Sequence, residues 1–111
     1  MPAYSQLHSP NYSPNFIGHT DYDSYGVNAT SIDFEHGVMN GITHNYTIAL
    51  EYWNGSSWNA VELKNGTIRT TGTMKFYLSG KKAGSYRIRG YYWQSGGTTW
   101  INGTPAFIVN R

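Results

Sequence analysis

Side chains of opposite character alternate, residue by residue, along most of the chain after Val27. Tyr46, Ile48, Leu50 and Tyr52 share one phase, against Thr47, Ala49, Glu51 and Trp53 on the other. Met74, Phe76 and Leu78 alternate with Lys75 and Tyr77, and Tyr86, Ile88, Gly90 and Tyr92 with Arg87, Arg89, Tyr91 and Trp93. A period of two sends successive side chains to opposite faces of an extended strand. No segment sustains the 3.6-residue period of an amphipathic helix. Ile32 and Phe34, set between Asp33 and Glu35, mark an earlier strand of the same kind, and Phe107 and Val109 mark the last. Val27 and Ala29 fall on the opposite phase, which predicts a bulge near Thr30-Ser31.

Turn residues punctuate these runs. Asn54-Gly55 between two alternating stretches is a strong hairpin signal, because both residue types tolerate positive φ. His36-Gly37, Asn40-Gly41, Asn65-Gly66, Gly80 to Gly84, Gly96-Gly97 and Asn102-Gly103 read as further turns, with a short strand from Thr67 to Thr71 broken at Gly72. The pattern predicts an all-β fold of seven or eight short strands, antiparallel, as a sandwich or small barrel. With 111 residues the chain is one domain. Residues 1–26 carry Pro2, Pro10 and Pro14 and are expected to form an extended N-terminal segment, packed on or leading into the β-domain at 27–111. The stretch from His19 to Gly26 reads as a loop.

Composition narrows the setting. There is no cysteine, which excludes disulfides, thiolate metal sites and a cysteine nucleophile. Charged residues make up 13%, about half the usual share, so solubility rests on hydroxyls and amides. That balance, with ten Tyr and thirteen Gly, is expected of an exported chain, secreted or at the cell surface. No apolar run has the length of a membrane span. Met1-Pro2-Ala3 leads directly into polar residues, as in a mature chain whose signal peptide has been removed. All six acids lie within residues 1–62 and all eight bases after that point. Because the bases are spread singly along strands, the expected outcome is pairing of early with late strands and mutual neutralisation, a polyanion-binding face being the alternative, with no nucleic-acid partner.

The run Ala83-Gly84-Ser85-Tyr86-Arg87-Ile88-Arg89-Gly90-Tyr91, followed by Thr104-Pro105-Ala106-Phe107-Ile108-Val109, resembles the last two strands of an immunoglobulin-like or fibronectin type III-like module. The resemblance implies an antiparallel immunoglobulin-like β-sandwich. It places Tyr86 at a corner where its hydroxyl bonds to upstream backbone, and Ile88 where antibody domains carry a cysteine. Ile48 and Leu50 then occupy the inward phase of the opposing central strand, where a tryptophan is usual in antibody domains. The likeness covers about residues 27–110 and is architectural, so it transfers no binding residues. The chain also resembles small exported proteins of Gram-positive bacteria.

If Ile48, Leu50, Tyr86 and Ile88 face the core, the outward phase carries Trp53, Tyr91 and Trp93, with Arg87, Arg89 and Glu51 alongside. Exposed aromatic rings flanked by hydrogen-bonding groups suit stacking on sugar rings or burial against a protein surface. The plainer alternatives are that loops cover these rings, that Trp58 and Trp100 cap the ends of the core, and that Arg87 and Arg89 pair with Glu51 across strands.

Other chemistry is weakly marked. His8, His19, His36 and His44 have no zinc-ligand spacing, and Asp21 and Asp23 lack the later glutamate of a calcium loop, so no metal and no cofactor is expected. Glu51 and Glu62 invite comparison with a glycosidase pair but read as solvent-facing charges. Six Asn-x-Ser/Thr triplets occur, at Asn11, Asn28, Asn45, Asn54, Asn65 and Asn102. Those followed by glycine are expected to serve turns.

The sequence thus points to a non-enzymatic secreted binding module that meets a glycan or protein through Trp53, Tyr91, Trp93, Arg87 and Arg89. The alternatives are a secreted antimicrobial or toxin-like effector acting on a cell envelope, and a structural spacer in a matrix.

Overall fold

The structure, a computed structural model, describes residues 16–39, 41–97 and 99–111. The prolines of the extended segment, His8, Asn11 and Asn40 lie outside the described residues. Nine strands are present among those described, and no helix: β1 (Phe16–Thr20), β2 (Ser24–Tyr25), β3 (Ser31–Val38), β4 (His44–Trp53), β5 (Trp58–Ile68), β6 (Thr71–Tyr77), β7 (Gly84–Trp93), β8 (Trp100–Gly103) and β9 (Phe107–Val109).

They form two sheets. The smaller has the order β1-β3-β6 and is antiparallel throughout. The larger runs β2-β9-β7-β4-β5, with β8 beside β9 on the same edge of β7. Its one parallel pairing joins β2 to β9. The register along β7 slips by one residue between β8 and β9, across Thr104-Pro105-Ala106. Pro105 has no N–H to offer a ladder. Thr104 repairs the break. Its N–H donates to the Ile88 carbonyl at 2.9 Å, and its hydroxyl accepts from the Ile88 N–H at 3.1 Å.

The alternating phases sort as their chemistry demands. Ile32, Phe34, Phe76 and Leu78 from one side meet Ile48, Leu50, Tyr86, Ile88, Tyr92, Phe107 and Val109 from the other, all buried. Each such side chain contributes about 1.5–3 kcal/mol on leaving water. Tyr25, in the segment expected to be a loop, enters this core edge-on to Phe107, with ring centroids 5.6 Å apart. At the β6–β7 corner the Tyr86 hydroxyl donates to the Lys82 carbonyl at 2.7 Å. The β4–β5 hairpin closes on Asn54-Gly55. Gly55 has φ 102°, and Asn54 Oδ1 accepts from the Ser56 and Ser57 N–H groups, each at 2.9 Å.

Several expected turns are strands instead. His36-Gly37 lies within β3, Asn65-Gly66 within β5, Gly72 within β6 and Asn102-Gly103 within β8. Close packing, not positive φ, asks for glycine at two of them. A Cβ at Gly37 would sit 2.5 Å from the Thr70 carbonyl, and one at Gly66 would sit 2.7 Å from Tyr46 Oη. The bulge expected near Thr30-Ser31 is absent. There the chain turns, with Ala29 N–H donating to the Gly26 carbonyl, and β3 starts at Ser31. The irregularity lies in the β4–β5 ladder, where Leu50 faces Glu62 but Glu51 faces Ala60.

Two polar ties cross between the sheets. The Tyr92 hydroxyl meets His36 Nδ1 at 2.9 Å, and Asn102 Nδ2 donates to the Ile17 carbonyl at 2.9 Å. Burial lowers the His36 pKa to about 4. The ring is therefore neutral, and it shares one hydrogen bond with the Tyr92 hydroxyl through Nδ1. The Asn102 amide beside the Tyr92 hydroxyl offsets part of the rise that burial causes in the Tyr92 pKa. Its Oδ1 is buried without a partner and faces Gly90, where a Cβ would collide with it.

The lopsided charge resolves within the fold. Lys75 Nζ lies 2.9 Å from Asp33, Lys81 3.0 Å and Lys64 3.4 Å from Glu62, and Arg87 2.6 Å from Glu51. Asp33–Lys75 and Glu51–Arg87 join an early strand to a later one, Glu62–Lys81 ties β5 to the turn after β6, and Glu62–Lys64 lies within β5.

Candidate functional site

The two outer faces differ in kind. On the smaller sheet, cross-strand neighbours are Asp33 with Lys75, Glu35 with Thr73 and with His19, and Ser31 with Tyr77. His19 Nε2 lies 3.3 Å from Glu35 Oε1. This is an ordinary solvated face.

The outer face of the larger sheet is aromatic and aliphatic. Strand parity puts Trp53, Glu51, Ala49 and Thr47 of β4 on it. Their partners on β5 are Trp58, Ala60, Leu63 and Asn65. From β7 come Arg87, Arg89, Tyr91 and Trp93, and from β8 Ile101 and Gly103. Trp53 is 38% exposed, Leu63 57% and Ile108 46%, while Trp58, Tyr91, Trp93 and Ile101 are half-buried. Isolated exposed apolar groups are common, but a sheet face so rich in them is unusual for a free surface.

All five predicted ligand-binding residues, Trp53, Tyr91, Trp93, Arg87 and Arg89, stand on this face, but they do not form one cluster. Trp93 pairs with Asn45 at one end of β4, and Trp53 lies at the other end, eight residues and about 27 Å along the strand. Two sub-sites result. At one end Trp53 and Trp58 pack with centroids 5.4 Å apart, and the Arg87 guanidinium lies 4.4 Å from the Trp58 ring centre. Arg87 Nε also bonds Glu51, so a cation–π contact and an ion pair hold one side chain in place. At the other end stand Tyr91 and Trp93, beside Thr47 and Asn65, whose side chains bond each other at 2.7 Å. Arg89 lies between them. Burial lowers its pKa first, and the neighbouring Arg87 lowers it further, while burial raises that of Tyr91.

Trp58, one of the two tryptophans offered above as caps for the core, stands on this face instead. Its position was available from the hairpin itself, because a loop at Asn54–Ser57 makes Trp53 and Trp58 direct partners. Trp100, in contrast, packs against the core. The close ion pair of Glu51 goes to Arg87, and Arg89 makes none among the described residues, though the Glu51 charge still acts on it from further off.

A separate shallow cavity of about 310 Å³ lies at the β6–β7 corner, lined by Tyr52, Val61, Gly80, Lys81, Lys82 and Tyr86. Lys81 there is committed to Glu62 and to the Tyr77 carbonyl. Glu51 and Glu62 project from opposite faces of the sheet, each engaged by a base, so they do not flank a common substrate position. Among the described residues no three His, Asp or Glu side chains gather where a metal ion would be held, and no helix is long and apolar enough to cross a membrane. Asn102 is 1% exposed and shut inside the sandwich, so its Asn-Gly-Thr triplet serves packing. Compared with known proteins, the chain matches no family model and no characterised protein.

Proposed function

We propose that the protein is a non-enzymatic, exported binding module of immunoglobulin-like build whose larger sheet meets a glycan through its outer face. The difference between the two outer faces carries this reading. One carries the Asp33–Lys75 ion pair, the His19–Glu35 contact and a single exposed ring, Tyr77, whereas the other gathers four rings, Trp53 exposed and Trp58, Tyr91 and Trp93 half-buried, beside hydrogen-bonding groups. Flat rings of Trp53, Trp58, Tyr91 and Trp93 suit the apolar faces of sugar rings, and Asn45, Thr47 and Asn65 suit their hydroxyls.

The immunoglobulin-like assignment draws support from the strand order β1-β3-β6 against β9-β7-β4-β5, from β2 running parallel to β9, and from the Tyr86 corner bond. Export draws support from the sparse charge and the Tyr-, Gly- and Asn-rich composition. A protein partner is the second reading, favoured by the exposed aliphatic side chains of Leu63 and Ile108 on the same face.

Glycan-array binding followed by isothermal titration on Trp53→Ala, Trp58→Ala and Trp93→Ala tests the proposal. The expected result is weakened binding in variants of both sub-sites with folding intact. Unchanged binding in all three removes this face from the function.

A further inference from the structure

We infer that Arg89 is the carboxylate-recognising residue of this face, and that its ligand is an acidic glycan, a chain of uronate-type sugars. The inference rests on the glycan reading above and names the ligand's chemical class.

The bases of the chain are nearly all spent on the protein itself. Lys64, Lys75, Lys81 and Arg87 pair with carboxylates. Arg69 donates to the Gly41 carbonyl and Arg111 to that of Ala29. Among the described residues that leaves Lys82 and Arg89. Lys82 is exposed, whereas Arg89 is half-buried. Its guanidinium makes no ion pair among the described residues and none of its nitrogens is sealed from solvent, so its N–H donors stand open to an arriving anion. The nearest carboxylate, Glu51, is held by Arg87 at 2.6 Å.

The surroundings are shaped for this side chain. In its row across the sheet Arg89 has Gly103 on one side and Ala49 on the other. A Cβ at Gly103 would collide with Arg89 Nη1 and come within 2.9 Å of its Cδ, so the arginine lies flat over the glycine. These small neighbours place no bulky side chain beside the planar fork within its row. A carboxylate reaching it accepts two parallel N–H bonds, a geometry that lysine cannot match.

The adjoining row selects a sugar acid over an acidic peptide. Tyr91 stands two residues along β7 on the same face, about 7 Å from Arg89. That spacing suits a pyranose ring stacked on Tyr91 with its carboxylate turned to Arg89. Thr47 and Asn65, next in Tyr91's row, stand where ring hydroxyls would lie.

Affinity electrophoresis and titration calorimetry with polygalacturonate test this, with fully methyl-esterified polygalacturonate as the uncharged version of the same chain and poly-L-glutamate as an acidic peptide. The intact protein is expected to bind the acidic polysaccharide at least about tenfold more tightly than either comparison polymer. Arg89→Gln is expected to lose about tenfold or more, and Arg89→Lys most of that, with circular dichroism and urea midpoints unchanged. Equal binding of the esterified polymer with no loss in Arg89→Gln overturns the inference while leaving the glycan face standing. Equal or tighter binding of poly-L-glutamate overturns it in favour of an acidic protein partner. Failure to bind polygalacturonate at all also overturns it, and the glycan array then decides the broader reading separately.

Discussion

Lowering the pH from 7 to 5 is expected to weaken the fold by about 2 kcal/mol through His36 alone. The ring is 2% exposed, stacked on Phe34 at 5.8 Å and edge-on to Tyr46 at 4.8 Å, with Nδ1 held by the Tyr92 hydroxyl. Burial holds its pKa near 4 against 6.5 for a free histidine, so the folded protein resists the proton that the unfolded chain accepts. The unfolded state therefore binds more protons between these values. Stability falls as pH drops through 6.5, and the loss from this group reaches about 3 kcal/mol by pH 4, where it levels off. Carboxylates titrate mostly below pH 5, so the window from 7 to 5 isolates histidine. Urea unfolding followed by tryptophan fluorescence at pH 7, 6 and 5 measures the slope. His36→Gln keeps a hydrogen-bonding partner for Tyr92, removes the titration and serves as the reference. A flat profile in the parent protein, or an equal slope in His36→Gln, refutes the reasoning.

Other perturbations follow from the packing. Gly90→Ala drives a methyl group into Asn102 Oδ1, Tyr92 and Ile48, and is expected to cost about 2–3 kcal/mol in urea unfolding. Tyr86→Phe removes the hydroxyl bond to the Lys82 carbonyl and is expected to cost about 1 kcal/mol by the same measurement, without altering the strand content seen by circular dichroism. If the chain is expressed through a eukaryotic secretory pathway, peptide mass mapping is expected to find Asn102 unmodified, because it is enclosed in the sandwich; exposed Asn54 is the accessible comparison.

Much of the β-structure was legible because burial on one face forces alternation. Ile48 and Leu50 on β4, Ile88 on β7, Phe76 on β6 and Phe107 on β9 all point inward as their phase requires. Pairing of early acids with late bases was legible too, since a sandwich brings those strands together. Glycine was the ambiguous letter. At Gly55 it supplies positive φ, but at Gly66, Gly90 and Gly103 it makes room for Tyr46, Asn102 and Arg89, and nothing local distinguishes the two uses. The Tyr25 strand was hidden because a two-residue parallel pairing leaves no periodic trace.

Of the candidate site, the shared face was readable from phase alone. Its division was not, since phase fixes the side of a sheet and register fixes position along it. Register also decides that Arg87 takes Glu51 and sits over Trp58 while Arg89 is left to lie on Gly103.

The proposed function places the ligand on the ring-bearing side of the larger sheet. Backbone-amide chemical-shift mapping, run by titrating the tightest glycan from the array into isotopically labelled protein, addresses it residue by residue. The account predicts shifts concentrated on β4, β5, β7 and β8, strongest around Trp58, Arg89 and Tyr91. Shifts centred on β3 and β6, where Asp33 and Lys75 pair, would contradict it.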